Sequence, residues 1–328
     1  MSETITLIGG DTLLGREVRE VFAESALGSQ LRLVAADAAE TGKLIEIDGA
    51  AAFLTKLDPD AVEDATVVVL AGTAASSREA IAANPSGLII DLTYVTEDDV
   101  DARVRAPQVE GPEFEREHSG PQVVAHPAAT AIAIVLSRLH AHYPLANSIV
   151  HVFEPASERG LAGIEELQQQ TVSLLAFKDM PKKVFDAQLS FAMLPRLGEE
   201  AETKLHEVEE RIERHLATLL DRTDGVPMPS LRLIQAPVFH GYGFSLWIEF
   251  EDAPPVAEIE QSLPGDLIDV RTGDLEPPNN VSIAGQGGVA VGSIVPDRNN
   301  GNAIWMWMAA DNFRLMAESA AMIAREAV

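Results

Sequence analysis

The residues whose types and order best fit chemistry are His126-Pro127-Ala128-Ala129-Thr130. An apolar run, Val123-Val124-Ala125, precedes them, and Ala131-Ile132-Ala133-Ile134-Val135-Leu136 follows at once. Pro127 keeps His126 out of the helical region. The order therefore predicts a strand ending at Ala125, a turn at His126-Pro127 and a helix starting near Ala128. The first N–H groups of such a helix are unpaired and carry positive potential, which suits an anionic nucleophile or an oxyanion. The residue at that mouth is Ala129, whose methyl group is neither. The chain contains no cysteine. A thiol nucleophile, a thiolate metal site and a disulfide are thereby excluded.

Three further polar residues belong to this question. Glu154 ends an apolar run, and His240 and Tyr242 stand in Phe239-His240-Gly241-Tyr242-Gly243. Together with His126, a converging set of this kind serves as a general base or holds a metal. The spacing carries no ligand signature, and no metal is expected. His240 and Tyr242 share one strand face if the strand continues through them. Each residue also has a plainer role: His126 capping or packing its turn, Glu154 pairing with Arg159, Tyr242 filling a pocket.

A second candidate lies at the start. Thr4-Ile5-Thr6-Leu7-Ile8 reads as a strand, Gly9-Gly10-Asp11-Thr12-Leu13-Leu14-Gly15 as a turn, and residues 16–23 as a helix. Strand, glycine turn and helix form the setting of a dinucleotide-binding loop. Here Thr12 occupies the place where a middle glycine would let backbone approach a pyrophosphate. A tight strand–helix turn explains the same residues without a cofactor. Asp37 ends the next strand, where an acid accepts from a ribose 2′-hydroxyl and repels a 2′-phosphate. Any dinucleotide bound is expected to be NAD over NADP.

The elements that position these residues fall into two patterns. Up to Ala125, continuous apolar strands at 31–36, 67–71 and 88–92 alternate with helices such as 74–83, which implies a doubly wound parallel sheet. Residues 98–120 are acidic, contain Pro107, Gly111 and Pro112, and read as an irregular connection. Beyond the central turn, strands at 148–154, 231–238, 244–250, 289–295 and 304–308 mix with long helices at 161–177 and 199–221. Residues 257–269 look like a short helix and strand. In the first long helix Ile164, Leu167, Thr171 and Leu174 share a face; in the second Leu205, Val208, Ile212, Leu216 and Leu219 form the stripe. This order suggests an α+β domain with a mixed sheet. An amphipathic helix over 312–327 ends the chain.

Composition sets outer limits. The 328 residues are 46% hydrophobic, enough for two cored domains. The chain carries 51 acidic against 24 basic residues, a net charge of −27, which repels nucleic acid and anionic lipid. No apolar run is long enough for a membrane span, and the start has no signal-peptide pattern, so a cytoplasmic location is expected.

Several motifs in this order resemble the aspartate-semialdehyde dehydrogenase family across nearly the whole chain. They are the Gly9–Gly15 loop, the His126–Thr130 turn, Phe153-Glu154-Pro155-Ala156-Ser157, and Gly163-Ile164-Glu165-Glu166-Leu167 followed by Gln169. Gln235-Ala236-Pro237-Val238-Phe239-His240-Gly241-Tyr242, Val291-Gly292-Ser293-Ile294 and Trp307-Met308-Ala309-Ala310-Asp311-Asn312-Phe313-Arg314 continue the series. The resemblance implies a Rossmann domain over 1–127, completed by the helix 312–328, and an α+β substrate and dimerisation domain over 128–311. It also implies a homodimer.

The family reductively dephosphorylates aspartyl phosphate with NADPH through a cysteine thioester. By resemblance, the cysteine position is Ala129, the acid–base histidine Tyr242, the carboxylate-gripping arginine Gln235 and the orienting glutamine Glu154. The candidate substrate pocket is thus His126, Ala129, Glu154, Gln235, His240 and Tyr242, with no catalytic residue assigned. The candidate cofactor contacts are Gly9, Asp11, Thr12, Leu13, Leu14, Gly15, Asp37 and Asn312. They are weakened: the arginine that would face a 2′-phosphate aligns with Ala39 or Glu40, and a Lys-Gly pair is Leu315-Met316. No NAD(P), or weak NAD(P) binding only, is expected, and the chain resembles an atypical paralogue branch without the catalytic cysteine. Two readings stay open: a non-catalytic dimeric binding or scaffold protein, and an enzyme with different chemistry using His126, Glu154, His240 and Tyr242. The identity of a small-molecule ligand or partner is not legible.

Overall fold

The computed structural model describes residues 4–47, 49–116, 119–223, 225–252 and 254–328. Residues 1–3 of the expected first domain, and Glu117 and His118 of the expected connection, lie outside the described residues. The chain divides into two compact units, 1–125 with 316–328, and 126–315.

Among the described residues the first unit contains eight strands: β1 (Ile5–Ile8), β2 (Leu31–Val34), β3 (Leu44–Ile47), β4 (Ala50–Phe53), β5 (Val67–Leu70), β6 (Leu88–Asp91), β7 (Arg103–Arg105) and β8 (Gln122–Val124). Six form one sheet in the order β2-β1-β5-β6-β8-β7, and every pairing in it is parallel. The helices are α1 (Leu13–Glu24), α2 (Asp60–Glu63) and α3 (Ala74–Ala82). β1 and β5 are buried at every position, as strands covered on both faces must be. Ile5, Leu7, Val18, Phe22, Val67 and Val69 share one core with Ala317, Ala320, Ile323 and Ala324 of the C-terminal helix. This is the expected doubly wound sheet.

Two parts of this unit differ from the sequence expectation. The antiparallel pair β3–β4 was not foreseen. The stretch read as irregular contains β7, an edge strand paired with β8. Its sequence, Arg103-Val104-Arg105, hides the strand because one apolar residue stands between two arginines. Arg105 nevertheless has only 1% of its side chain exposed, its charge being met by Glu110 and Glu326.

The second unit holds α4 (Pro127–His140), β9 (Leu145–Glu154), α5 (Gly160–Leu175), α6 (Leu205–Leu220), β10 (Ser230–Gln235), β11 (Tyr242–Phe250), α7 (Val256–Ser262), β12 (Ile268–Arg271), β13 (Val289–Pro296) and β14 (Ala303–Ala310). α8 (Asn312–Ala327) follows. The sheet order is β10-β9-β11-β14-β13-β12, with parallel outer pairs and antiparallel inner ones, a mixed sheet as expected. Val150, Val152, Phe244, Leu246, Ile248 and Leu233 form its buried face. Among the described residues, no helix is long and apolar enough to cross a membrane.

The five predicted stripe residues of α6 are all buried, but the helix begins at Leu205 rather than near Glu199. Lys204 explains the delay: its ammonium binds the Glu199 and Ala201 carbonyls, which a helix would otherwise use. Of the expected Ile164-Leu167-Thr171-Leu174 face, α5 fully buries Leu167 and half-buries the rest, and it also buries Gly163, Glu166 and Gln170. The cause is polar. Glu166 accepts from the Val184 and Phe185 N–H groups at 2.7 and 3.1 Å, and Gln170 from Leu189 and Ser190 at 2.7 and 3.1 Å. A helix face that tethers a backbone strap leaves no apolar period to read.

Candidate functional site

α4 begins where expected, and its mouth is already occupied. Ala129 is fully buried. The His126 N–H donates to His215 Nδ1 at 2.9 Å, Pro127 has no N–H, and the Ala128 N–H donates to His126 Nδ1 at 3.3 Å. Of the N–H groups at this mouth, those of His126 and Ala128 are thus spent on imidazoles, and Pro127 offers none. His126 is the helix cap, the plainer of its two roles.

The other candidate pocket residues of the sheet form a transverse row. Gln235 and Glu154 are direct partners in the β10–β9 ladder. Phe153 pairs with Gly243, which sets Tyr242 next to Glu154, and Tyr242 pairs with Ala310. Residues side by side in a sheet point to the same face, and Glu154, Gln235 and Tyr242 are all fully buried. Glu154 Oε2 accepts from Arg159 at 2.7 Å. Burial pushes the Glu154 carboxyl up, against the pull of Arg159. Gln235 Nε2 donates to the Glu154 carbonyl at 2.9 Å. Glu154 Oε1 and Gln235 Oε1 are buried and have no hydrogen-bond partner among the described residues. Two unmet acceptors on neighbouring strands repel a further acceptor, such as a ligand carboxylate.

His240 and Tyr242 do not share a strand face. β11 starts at Tyr242, and Gly241, at φ +80°, turns the chain before it. The Tyr242 ring meets His126 edge-on, with centroids 6.1 Å apart. His240 instead lies between Ser157 Oγ and Asp311 Oδ2, each at 3.0 Å. Burial raises Asp311, but the bond from His240 and the N–H groups of Arg314 and Gly285 outweigh it and hold the carboxyl below its usual range. Facing an ionised Asp311, His240 Nε2 is the donor, and Nδ1 faces the Ser157 hydroxyl. That is the order of a hydroxyl–imidazole–carboxylate relay. Ser157, however, is fully buried, its Oγ also accepts from Asn312 Nδ2 at 3.2 Å, and its N–H is spent on the Phe239 carbonyl. The relay works as a clasp between the 156–159 turn, the 239–241 turn and the start of α8. His126, Glu154 and His240 are thus each drawn to a different polar partner. Among the described residues no group of three acidic or histidine side chains is placed to hold a metal.

Sequence reasoning missed Glu158. Asn312 Nδ2 donates to Glu158 Oε1 at 2.7 Å, so Asn312, expected at a cofactor, is bound into this network. Burial, and then the neighbouring Glu154, push Glu158 up to about 7. A carboxyl raised in the folded state binds more protons there than in the unfolded chain. Stability from this group is greatest near pH 4.5 and falls as pH rises through about 7. Glu158→Gln should therefore raise Tm at pH 8 by the equivalent of roughly 2 kcal/mol and leave it unchanged near pH 4. Thermal melts of both forms across pH check this; a gain independent of pH would refute it.

In the first unit the glycine loop is closed by its own side chains. Thr12 Oγ1 accepts from Gly15 N at 2.9 Å, caps α1 so that the helix starts at Leu13, and bonds to the Ala71 carbonyl at 2.7 Å. Gly9, at φ +89°, has no room for a Cβ, which would lie 2.3 Å from Gly72 Cα. Leu13 and Leu14 are half-buried in the first turn. Asp11 Oδ1 accepts from Ala36 N at 2.7 Å, and exposed Asp37 turns back to cap Ala39 N. A diphosphate needs bare N–H groups at such a helix start. Here one of them serves Thr12, and a carboxylate stands alongside, so the residues fit a dinucleotide poorly.

Residues 136–315 match the family profile described as "Semialdehyde dehydrogenase, dimerisation domain". An aspartate-semialdehyde dehydrogenase of Rickettsia bellii is 25% identical over 317 residues, covering 94% of this chain and 93% of its own. A USG-1 protein homolog of Azotobacter vinelandii is 25% identical over 318 residues, with coverage of 94% and 93%. The crystal structure of aspartate semialdehyde dehydrogenase II from Vibrio cholerae superposes with a TM-score of 0.82 at 21% identity, covering 99% of this chain and 98% of that one. With a profile match over more than half its length and aspartate-semialdehyde dehydrogenases matching it nearly end to end, the chain belongs to the semialdehyde dehydrogenase family.

Proposed function

We propose that this chain is a non-catalytic, dimeric member of its family, a binding or scaffold paralogue without reductive dephosphorylation of aspartyl phosphate. One observation carries the reading: the position that needs sulfur holds the methyl group of Ala129, and none of the 328 residues is cysteine. The capped mouth of α4, the buried Glu154–Arg159 pair and the uncharged Gln235 support it. They weigh against different chemistry in the same cleft, because the polar side chains that chemistry would use are committed to separate partners. Dinucleotide affinity is weak, with NAD above NADP, given Thr12, Asp11 and Asp37. The test is NADP-linked oxidation of aspartate semialdehyde by purified protein with and without phosphate. Phosphate-dependent turnover would end this reading.

The dimer is assigned to the outer face of the second unit's sheet. Ile149 is 41% exposed, Trp305 37% and Val295 49%, and Phe153 stacks on Trp307 at 5.8 Å. All three tryptophans of the chain lie on the two central strands β11 and β14, with Trp247 and Trp305 both donating to Asp297 Oδ2. A charge buried at such a face costs several kcal/mol. Ile149→Glu combined with Trp305→Arg should halve the mass seen by light scattering. A wild-type monomer, or an unaltered dimer in the double variant, would contradict the assignment.

A further inference from the structure

We propose that the second unit binds a small organic anion with an apolar body, in a cavity of about 570 Å³ formed by residues 195–199, the first turns of α6 and β10. The volume is within the range of small-molecule sites, roughly 300–1,000 Å³.

The argument begins with charge. The chain carries −27, yet Arg196, Lys204, His206 and Arg232 all line this one cavity. Only Glu199 and Glu209 oppose them there. Glu209 is fully used: Oε1 takes Arg232 at 3.0 Å and Oε2 takes the Leu233 N–H at 2.6 Å. Lys204 is tied to backbone carbonyls. The side chains of Arg196 and His206 are exposed and make no hydrogen bond or ion pair among the described residues. They are the donors left for a ligand, and an arginine fork suits a carboxylate.

The floor supplies the second half. Pro195 and the aliphatic stems of Arg196, Lys204 and Arg232 provide apolar lining around the edges of Leu197, Leu205 and Leu233, which are themselves 8%, 3% and 1% exposed. A purely inorganic anion would leave that floor unused. An anion carrying an aliphatic or aromatic skeleton covers it, with its charged end at Arg196 and His206. These residues are not those of the sheet row Glu154, Gln235 and Tyr242, and the proposal stands apart from the fate of catalysis.

The test is isothermal titration of the full chain with 4-phenylbutyrate, beside 4-phenylbutylamine and acetate. Saturable submillimolar binding of 4-phenylbutyrate is expected. Acetate, lacking the apolar body, should bind at least about tenfold more weakly, and the amine should not bind. Arg196→Gln combined with His206→Gln should weaken 4-phenylbutyrate at least about tenfold at unchanged Tm. Absence of saturation overturns the proposal, as does equal binding of the amine or acetate, or undiminished binding by the double variant. The turnover assay reads a different place, so either result can fail without the other.

Discussion

Purified protein supplied with aspartate semialdehyde, phosphate and NADP is expected to form no NADPH above the enzyme-free rate. Loss of a covalent nucleophile alone costs on the order of 10⁶ in turnover where it has been dissected, and here no second thiol exists to substitute. The other changes act on different parts of the same reaction. If Gln235 stands where the resemblance puts the family's arginine, a bidentate clamp is lost, about 1.5–3 kcal/mol of binding to a charged group. At Tyr242, where the resemblance puts the family's histidine, a phenol stands in place of an imidazole. Ala129→Cys alone should therefore not restore turnover, although a thiol there can be followed by alkylation. Slow alkylation would report the buried mouth of α4. Fast alkylation together with phosphate-dependent turnover would mean that the remaining substitutions are harmless, and the reading would fail.

How much of this was legible in the sequence depends on which force shapes each element. The parallel strands were readable because Val67-Val68-Val69-Leu70 is apolar throughout, and only a strand buried on both faces needs that. The α6 stripe was readable because the helix buries one face against apolar neighbours. Elements organised by polar contacts were not. The buried face of α5 consists largely of Glu166 and Gln170 holding backbone, and β7 is an arginine-flanked strand whose charge is met from distant positions. At the candidate site, Ala129, Glu154, Gln235 and Tyr242 were found through the resemblance, and the register places the last three in one row. Glu158 and Ser157 could have been found, since both adjoin the Glu154 motif. What the sequence could not supply was the direction of His240, which depends on a left-handed Gly241.

Arg105→Met is expected to destabilise the first unit by about 3–5 kcal/mol, the penalty for breaking a buried ion pair by removing one partner. Arg105 Nε donates to Glu110 Oε1 at 3.0 Å and Nη1 to Glu326 Oε2 at 2.8 Å, while Ala106 N–H also donates to Glu110. Only 3% of the Glu110 side chain is exposed, so removing the guanidinium takes a counter-charge from a buried carboxylate. Glu326 differs: it is 26% exposed and keeps Arg116 at 3.1 Å. Arg105→Lys should lose most of the same stability, because one ammonium cannot reproduce a planar fork between two carboxylates. Arg105→Met with Glu110→Met removes both charges together and should recover most of the loss, since replacing a buried pair by apolar side chains is often neutral. Calorimetry on the three variants separates the cases, the transition of the first unit being the one expected to move. A loss below about 1 kcal/mol in Arg105→Met, or a double variant no better than the single one, would mean that the guanidinium is not what seats β7 and the last turn of α8.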